Sequence, residues 1–293
     1  MNVLITGSSG FVGSHLCSFL DSQDHNILGH ARTNHKDKAN SLVCDFLRTI
    51  PEPDELKGLD IVVHLVGKVH DVEGLGTKSE YEILNHSSVL SFAKNCSKAN
   101  VKKFIFFSTI KTSDLVLNNT LDDIYASTKK KGEDALIEFS KKTNMEVNII
   151  RPALIYGEGM KGNLDALVKL IKYGLCPPFP ETQNKKYLIH VQDLCKTVDS
   201  VLKETLKTEE IITVAEYKPY STREIMQDLR YALGKKHTEF SIPFVLIKLF
   251  MNIPFGIGFR IKKLFSDDRY EILNTGFTPK TTSTLKNIFD KGR

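Results

Sequence analysis

Several features that would indicate other classes of protein are missing from this chain. Its 5 cysteines include no Cys-x-x-Cys pair and are odd in number, so the sequence predicts neither a metal site nor a disulfide framework and favours a reducing, cytoplasmic location. The formal net charge is only +5, and the basic residues are scattered among acidic ones without interleaved aromatic side chains, which argues against nucleic acid as a partner. Apolar residues at the N-terminus already begin a predicted strand, so we expect no signal peptide.

The most apolar part of the chain, residues 240–265, is too interrupted to cross a membrane. It contains two prolines and Lys248. One interpretation is that it forms core helices of a small lobe. The other is a peripheral membrane or subunit contact, because the basic cluster at 260–263 beside apolar residues favours an anionic surface.

The order of the sequence patterns is that of an α/β protein. Short apolar runs predict strands and amphipathic stretches predict helices, the strands at 2–6, 26–30, 61–66, 104–107 and 147–150 and the helices at 13–22, 81–99 and 124–143. Such alternation is typical of a parallel sheet with helices on both faces. With 293 residues, 41% of them hydrophobic, the chain can bury a full core.

The second half of the chain is more mixed and shows no internal repeat. Helices are predicted near 163–173, 192–206 and 221–233, and a strand at 211–214 is expected to return to the main sheet. We therefore expect a dinucleotide-binding domain over 1–158 and a mainly substrate-binding lobe over 159–293.

A glycine-rich turn follows the first strand, with the sequence Thr-Gly-Ser-Ser-Gly-Phe-Val-Gly at 6–13. Gly7 permits a tight turn, Gly10 lets backbone amides approach a pyrophosphate, and Gly13 lets the following helix pack close to the strand. Turn geometry alone can produce such a triplet. Its position between a strand and a helix favours dinucleotide binding.

A tyrosine and a lysine four residues apart form the second motif, Tyr125-Ala-Ser-Thr-Lys129. On a helix they share one face, where the ammonium group can lower the pKa of the phenol toward working pH. The alternative is a surface tyrosine beside the solvated lysines 129–131. A buried strand at 103–107 that ends in the hydroxyls of Ser108 and Thr109 favours the catalytic interpretation, because ligands of parallel sheets lie at the carboxyl ends of strands.

With these motifs the chain resembles an extended short-chain dehydrogenase/reductase of the NAD-dependent epimerase/dehydratase type, which acts on nucleotide sugars. The resemblance covers nearly the whole chain and implies a Rossmann-type doubly wound parallel sheet with a smaller mixed α/β substrate lobe. It also implies a homodimer formed through the helices at 81–99 and 124–143.

The resemblance assigns site residues position by position. The implied catalytic residues are Thr109, Tyr125 and Lys129, with Asn85 as a supporting helix residue. The implied cofactor-binding residues are Gly7, Gly10, Phe11, Val12, Gly13, Arg32, Asp45, Phe46, Leu65, Val66, Gly67, Lys129 and Pro152. The implied substrate-binding residues are Tyr156, Asn163 and Lys186, and no metal is implied.

Three departures from the family pattern bear on function. Ala31 replaces the acidic residue that would accept the ribose 2′-hydroxyl of NAD, and Arg32 follows it, so NADP(H) is favoured while NAD(H) stays possible. The alternative is that Arg32 stacks on the adenine. Lys186 stands where an arginine is usual, which changes a bidentate phosphate contact into a point charge. The interval from Thr109 to Tyr125 is short and polar.

The implied reaction is a hydride transfer at C4 of a UDP-linked sugar, with Tyr125 as the acid/base, Thr109 positioning the reacting oxygen and Lys129 lowering the pKa of the phenol. NADPH favours reduction of a UDP-4-keto-6-deoxy-hexosamine for surface polysaccharide, and a UDP-hexose or UDP-N-acetylhexosamine 4-epimerase is the alternative. A dehydratase is disfavoured because Ile110 and Lys111 replace its acidic pair. A non-catalytic NAD(P)-binding regulator is disfavoured by the intact triad.

Overall fold

The computed structural model describes residues 1–33, 41–69, 77–113, 124–204, 210–237, 240–251, 264–266, 268 and 284–289. The basic cluster at 260–263 and most of the interval between Thr109 and Tyr125 lie outside these residues. The chain divides into two compact units. Unit 1 contains Met1–Pro152 and Leu194–Val214, and unit 2 contains Ala153–Asp193 and the described residues after Val214.

Unit 1 is built on a seven-stranded sheet in which every neighbouring pair of strands is parallel. The strands are β1 (Asn2–Thr6), β2 (Asn26–Ala31), β3 (Ser41–Val43), β4 (Ile61–His64), β5 (Lys103–Phe107), β6 (Glu146–Pro152) and β9 (Ile211–Val214). Their order is β3-β2-β1-β4-β5-β6-β9, which confirms the predicted doubly wound arrangement and the return of the last strand. The direction of winding reverses between β1 and β4.

The helices agree with the predicted amphipathic stretches to within a few residues at most ends. They are α1 (Phe11–Asp21), α2 (Lys78–Glu82), α3 (Ser88–Lys98), α4 (Ile124–Ser140), α5 (Asn163–Lys172), α6 (Val191–Leu202), α7 (Thr222–Ala232) and α8 (Phe244–Phe250). Two single turns of 3-10 helix lie at Pro53–Leu56 and Leu285–Asn287. None of the helices in the described ranges is long and apolar enough to cross a membrane.

The helix predicted over 81–99 is not continuous. A capping box begins α2, where Thr77 accepts a hydrogen bond from the Glu80 amide and the Glu80 carboxylate accepts one from the Thr77 amide. A wider turn, the π-turn Ile83–Ser87, then separates α2 from α3. Gly132 of α4 packs on this turn, since a Cβ at Gly132 would lie 2.3 Å from the backbone oxygen of Asn85. Hydrophobic periodicity does not detect one extra residue inside a helix.

The core of unit 1 contains a cluster of aromatic rings beneath the carboxyl ends of the central strands. Phe46, Phe92, Phe104 and Phe106 surround the imidazole of His64, with ring centroids 5.3 to 6.2 Å from it. All residues of β4 and β5 are buried, as expected for parallel strands covered on both faces. This packing fixes the ends of the strands that carry the site residues.

Unit 2 contains a two-stranded parallel sheet of β7 (Leu154–Tyr156) and β8 (Leu188–His190). A capping box of Ser221 and Glu224 begins α7. In α8, Ile247 is buried, whereas Val245, Leu246 and Leu249 are exposed.

Candidate active site

The glycine-rich turn of unit 1 has the geometry of a phosphate-binding loop. Gly7 has a φ of +69°, a left-handed backbone conformation that favours glycine, and a Cβ at Gly13 would lie 2.2 Å from the Gly7 oxygen, which leaves no room for a larger residue there. Gly10 caps α1 without a side-chain hydrogen bond, and the first turn of α1 carries no acidic residue. The amides at the start of α1 can therefore face an anion, and the turn fits a dinucleotide pyrophosphate.

A histidine that the sequence analysis did not single out holds this turn against β2. The Gly7 amide donates to Nδ1 of His30 at 3.2 Å, and Nε2 of His30 donates to the Cys44 oxygen at 2.8 Å. Ser8 Oγ donates to the His30 oxygen and accepts from the His30 amide. Burial is the main cause that lowers the pKa of His30, so its neutral form is favoured.

The end of β4 is fixed to the end of β1 by a threonine and a second buried histidine. Thr6 Oγ1 accepts from the amides of Leu65 and Val66, at 3.1 and 3.3 Å, and lies 3.0 Å from Nδ1 of His64. Because the oxygen of Thr6 is the acceptor for both amides, its own proton is directed to His64. Burial holds the pKa of His64 well below its ordinary value. The partly buried turn 65–67 thereby has a fixed position beside the glycine turn.

Lys129 occupies a buried pocket at the end of β5. It is 3% exposed, and its Nζ donates to the Phe107 oxygen at 2.7 Å. A Cβ at Gly67 would lie 2.8 Å from this Nζ and 2.9 Å from Oδ1 of Asn85, so a larger residue there would displace one of these two side chains. Burial lowers the pKa of Lys129 to about 7, against the opposing effect of Glu133. The hydrogen bond to Phe107 thus fixes the position of the amine, while burial disfavours its protonated form.

Asn85 connects this pocket to the turn after β4. Its Oδ1 accepts from the Lys68 amide at 2.9 Å, and its Nδ2 donates to the Lys68 oxygen and to Thr128 Oγ1 at 3.0 and 3.1 Å. The π-turn places this side chain, because Asn85 is its central residue. Asn85 therefore joins the turn after β4 to α4, and its role in supporting a catalytic site stays a prediction.

The two other residues of the predicted triad lie on the segments that hold Lys129. Tyr125 lies one helical turn before it on α4, and Thr109 follows Phe107 by two residues. Both side chains are buried, at 8% exposure each. The Nζ of Lys111 lies 5.9 Å from the centroid of the Tyr125 ring. Lys111 therefore places a second cation beside the phenol. In the sequence, Lys111 was noted only because it stands where a dehydratase has an acidic residue.

A buried ion pair supports the segment that carries Thr109. Arg151 donates to both carboxylate oxygens of Glu133, at 2.9 and 2.5 Å, and its Nη1 donates to Ser113 Oγ. Thr112 Oγ1 also donates to Glu133, at 3.0 Å. Pro152 accepts the amide of Ile110 at 3.1 Å, which gives the predicted cofactor residue a role in holding the same segment.

The remaining predicted cofactor residues differ in what their side chains can contact. Arg32 is exposed at the end of β2, next to the buried Ala31. Asp45 is partly exposed and accepts from the Leu47 amide at 3.2 Å. Phe46 is only 2% exposed and belongs to the aromatic core, so it can offer a ligand its backbone but not its ring. Phe11 and Val12 are partly buried in the first turn of α1.

The predicted substrate residues of unit 2 fall into three different environments. Asn163 is partly buried at the first position of α5. Tyr156 is fully buried, and its hydroxyl donates to Glu216 at 2.5 Å, so its side chain has a structural role and its prediction as a substrate contact is disfavoured. Lys186 is 7% exposed and lies 2.8 Å from Oδ1 of Asp268 and 2.9 Å from Ser266 Oγ. A phosphate at Lys186 would compete with Asp268.

The helices predicted to form a dimer contact carry charges at their surface. Glu82 pairs with Lys131 and His86, and Lys130 pairs with Asp134. Within the described part of the chain, none of the large exposed hydrophobic residues lies on α2, α3 or α4. The homodimer stays a prediction.

Comparison with known proteins agrees with this geometry. The model of the family described as NAD dependent epimerase/dehydratase matches residues 3–215. The chain is 28% identical to a UDP-glucose 4-epimerase of Vibrio cholerae over 96% of this chain and 92% of that protein. A UDP-glucuronic acid 4-epimerase of Bacillus cereus solved with NAD is 20% identical, with a TM-score of 0.67 over 83% of this chain and 87% of that one. A human epimerase family protein solved with NADPH is 18% identical, with a TM-score of 0.73 over 98% of this chain and 99% of that one.

Proposed function

Because the chain belongs to the NAD-dependent epimerase/dehydratase family, we propose that it acts at C4 of a nucleotide-linked sugar as a 4-epimerase. The observation that carries this proposal is the buried Lys129, held on the Phe107 oxygen one helical turn from Tyr125. The names of the relatives support epimerisation, since UDP-sugar 4-epimerases are similar both in sequence and in fold.

The residues of unit 1 can perform the proton transfers of such a reaction. Tyr125 Oη takes the proton of the C4 hydroxyl and later returns it, and the Thr109 hydroxyl donates a hydrogen bond to the same oxygen. The ammonium group of Lys129 favours the phenolate of Tyr125. The turn at 6–13 would hold the pyrophosphate of the cofactor, and the turn at 65–67 would lie beside its ribose. When bound, the nicotinamide supplies the acceptor and donor of the hydride at C4.

A second candidate is reduction of a UDP-4-keto-6-deoxy-hexosamine in surface polysaccharide synthesis. Ala31 and the exposed Arg32 favour it, because a guanidinium can pair with the 2′-phosphate of NADPH, the cofactor that cells keep reduced. An epimerase uses one cofactor molecule repeatedly, whereas a reductase must exchange it in every cycle. Asn163 and Lys186 are the proposed contacts to the UDP-sugar in either case.

The two candidates are distinguished by incubating the protein with UDP-N-acetylglucosamine or UDP-glucose, without an added reductant and with catalytic amounts of NAD⁺. Formation of the C4 epimer supports the epimerase. Stoichiometric oxidation of NADPH with a UDP-4-keto-6-deoxy-hexosamine, together with no epimer, supports the reductase instead. Tight cofactor binding with neither product would favour the non-catalytic alternative.

The role of Tyr125 is tested by Tyr125→Phe, which keeps the ring and removes the acid. We expect turnover to fall by about 100- to 10,000-fold while the dissociation constant of the dinucleotide changes by no more than a few-fold. Tyr217→Phe is the matched control, because Tyr217 is 79% exposed. Turnover near wild type in Tyr125→Phe would remove this residue from the mechanism.

A further inference from the structure

Unit 2 carries an exposed surface that combines apolar and basic side chains. Five of its large hydrophobic residues are between 63% and 78% exposed, namely Tyr173, Leu175, Phe240, Val245 and Leu249. Single exposed hydrophobic residues are ordinary, but a group of them marks a contact surface. We call these residues, together with Lys172, Lys235, Lys236 and Lys248, the apolar-basic surface.

A cavity connects the segments that form this surface. It has a volume of about 570 Å³ and is lined by Gly174 and Cys176 after α5, by Arg230 and Lys235 at the end of α7, and by Phe240 before α8. The Ile242 amide donates to the Pro178 oxygen at 3.0 Å, which anchors the start of α8 beside the same loop. The apolar and basic side chains therefore belong to one region of unit 2.

The charge of this region is mostly positive. The described stretches 169–178, 229–237 and 240–251 contain no Asp or Glu, and their cationic residues are Lys169, Lys172, Arg230, Lys235, Lys236 and Lys248. The acidic residues beside them are Asp165, which pairs with Lys169, and, next to these stretches in the sequence, Asp228 and Glu239. Lys169, Lys172 and Arg230 lie in the last turns of α5 and α7, where they complement the helix dipoles. The same explanation applies to Lys248 in the last turn of α8, but not to Lys235 and Lys236, which follow the end of α7.

The outer side of α8 shows the same combination. This helix has 7 residues, of which Ile247 faces the core while Val245, Leu246 and Leu249 are exposed beside Lys248. A soluble helix normally presents polar residues on its outer side. Apolar residues flanked by lysines instead fit the boundary between lipid headgroups and acyl chains.

A second copy of the chain fits this surface poorly. In a two-fold dimer the same patch meets itself, so the excess of cations on one protomer would face the same excess on the other. A partner with negative charge and an apolar interior removes this repulsion.

We propose that the apolar-basic surface binds the surface of an anionic phospholipid bilayer. Val245, Leu249 and Phe240 enter the headgroup region, and the lysines pair with lipid phosphates. The cavity beside Arg230 and Lys235 accepts one headgroup. This inference is independent of the proposed reaction, because it requires no catalysis and no residue of the candidate active site.

The test is flotation of the full chain with vesicles of phosphatidylcholine alone or mixed with phosphatidylglycerol. We expect binding to the anionic vesicles at about 0.1 M salt, at least tenfold weaker binding to the neutral ones, and loss of most binding at about 0.5 M salt. Equal binding to both compositions would overturn the proposal, and so would no binding to either.

Two variants separate the apolar and electrostatic contributions. Val245→Ser/Leu249→Ser and Lys235→Glu/Lys236→Glu should each weaken vesicle binding about tenfold or more while keeping the wild-type circular dichroism spectrum and melting temperature. The matched controls are Val43→Ser and Lys94→Glu, at exposed positions of unit 1, and they should bind like wild type. Equal losses in the controls would overturn the proposal. A wild-type dimer that Val245→Ser/Leu249→Ser converts to a monomer, without any vesicle binding, would assign the surface to a second copy.

Discussion

Two of the buried lysines among the described residues, one taken from each unit, show how differently the same residue can be used. Lys129 and Lys186 are 3% and 7% exposed. Lys186 is paired with the carboxylate of Asp268, whereas Lys129 donates to a backbone oxygen and forms no ion pair with any described residue. A buried cation with a carboxylate partner is neutralised locally, while one without such a partner keeps a weakened hold on its proton. This difference supports the proposal that Lys129 takes part in the chemistry, whereas Lys186 already has a carboxylate partner.

Removing the amine of Lys129 gives the largest expected effect. Lys129→Met should lower kcat/KM by about 1,000-fold, because the phenol of Tyr125 loses the charge that favours its ionised form. Lys130→Met is the control at the next helix position, where the side chain pairs with Asp134 instead. Steady-state kinetics of both variants provide the measurement. A similar loss in Lys130→Met would show that the helix, and not the amine, was disturbed.

The lowered pKa of Lys129 should also appear in the pH dependence of the free energy of unfolding. Its pKa is lowered from 10.5 to about 7 in the folded chain, so the unfolded state binds more protons between these values and the free energy of unfolding rises with pH. From pH 7 to pH 9.5 this rise should be about 3 kcal/mol larger in the wild type than in Lys129→Met.

Denaturant titrations at the two pH values measure this difference, again with Lys130→Met as the surface control. The same slope in the wild type and in Lys129→Met would contradict the lowered pKa. If the free energy of unfolding rose less with pH in Lys130→Met than in Lys129→Met, the lowered pKa would not belong to Lys129.

Arg32 extends the comparison to a cation that is exposed rather than buried. Arg32→Ala should weaken NADPH binding by about ten- to a hundredfold and leave NADH binding nearly unchanged, because only NADPH carries the 2′-phosphate. Calorimetric titration of both cofactors measures this, with Lys57→Ala as a control at an exposed lysine that pairs with Asp54. Equal losses for the two cofactors would mean that Arg32 stacks on the adenine.

The smallest expected effects concern Lys186, the buried lysine that is paired with Asp268. If Lys186 binds a substrate phosphate, Lys186→Ala should weaken UDP binding about tenfold, and Asp268→Asn should strengthen it by a few-fold because the competing carboxylate is neutralised. Titration of UDP into both variants measures whether the affinity falls in Lys186→Ala and rises in Asp268→Asn. Weaker binding in both would indicate that the pair is structural, and unchanged binding in both would place the phosphate elsewhere in unit 2.

Much of the fold could be predicted because its signals are local. The glycine spacing after β1, the continuous apolar runs of the central strands and the four-residue spacing of Tyr125 and Lys129 are each contained in a short stretch of sequence. The three-residue strand β3 was not predicted, since so short a run shows no periodicity.

The supporting contacts could not be predicted because they join distant parts of the chain. Lys186 and Asp268 are 82 positions apart, and Asn85 and Thr128 are 43 apart. A spacing rule relates residues on one helix or strand, so it does not identify such partners. The bond of His30 to the Gly7 amide was missed for the same reason, and its signal was a lone polar residue at the end of an apolar strand.

The π-turn at Ile83–Ser87 has a consequence for which sequence changes this fold tolerates. The extra residue shifts the helical phase, so that Asn85 faces Thr128 while Phe92 and Cys96 of α3 still face the core. Deleting one residue here would restore a regular α-helix and rotate everything before it by about 100° relative to α3. Substitution of the partly buried Leu84 leaves this phase intact. Homologous chains should therefore conserve the length of this turn and Asn85, while the side chain at Leu84 can vary.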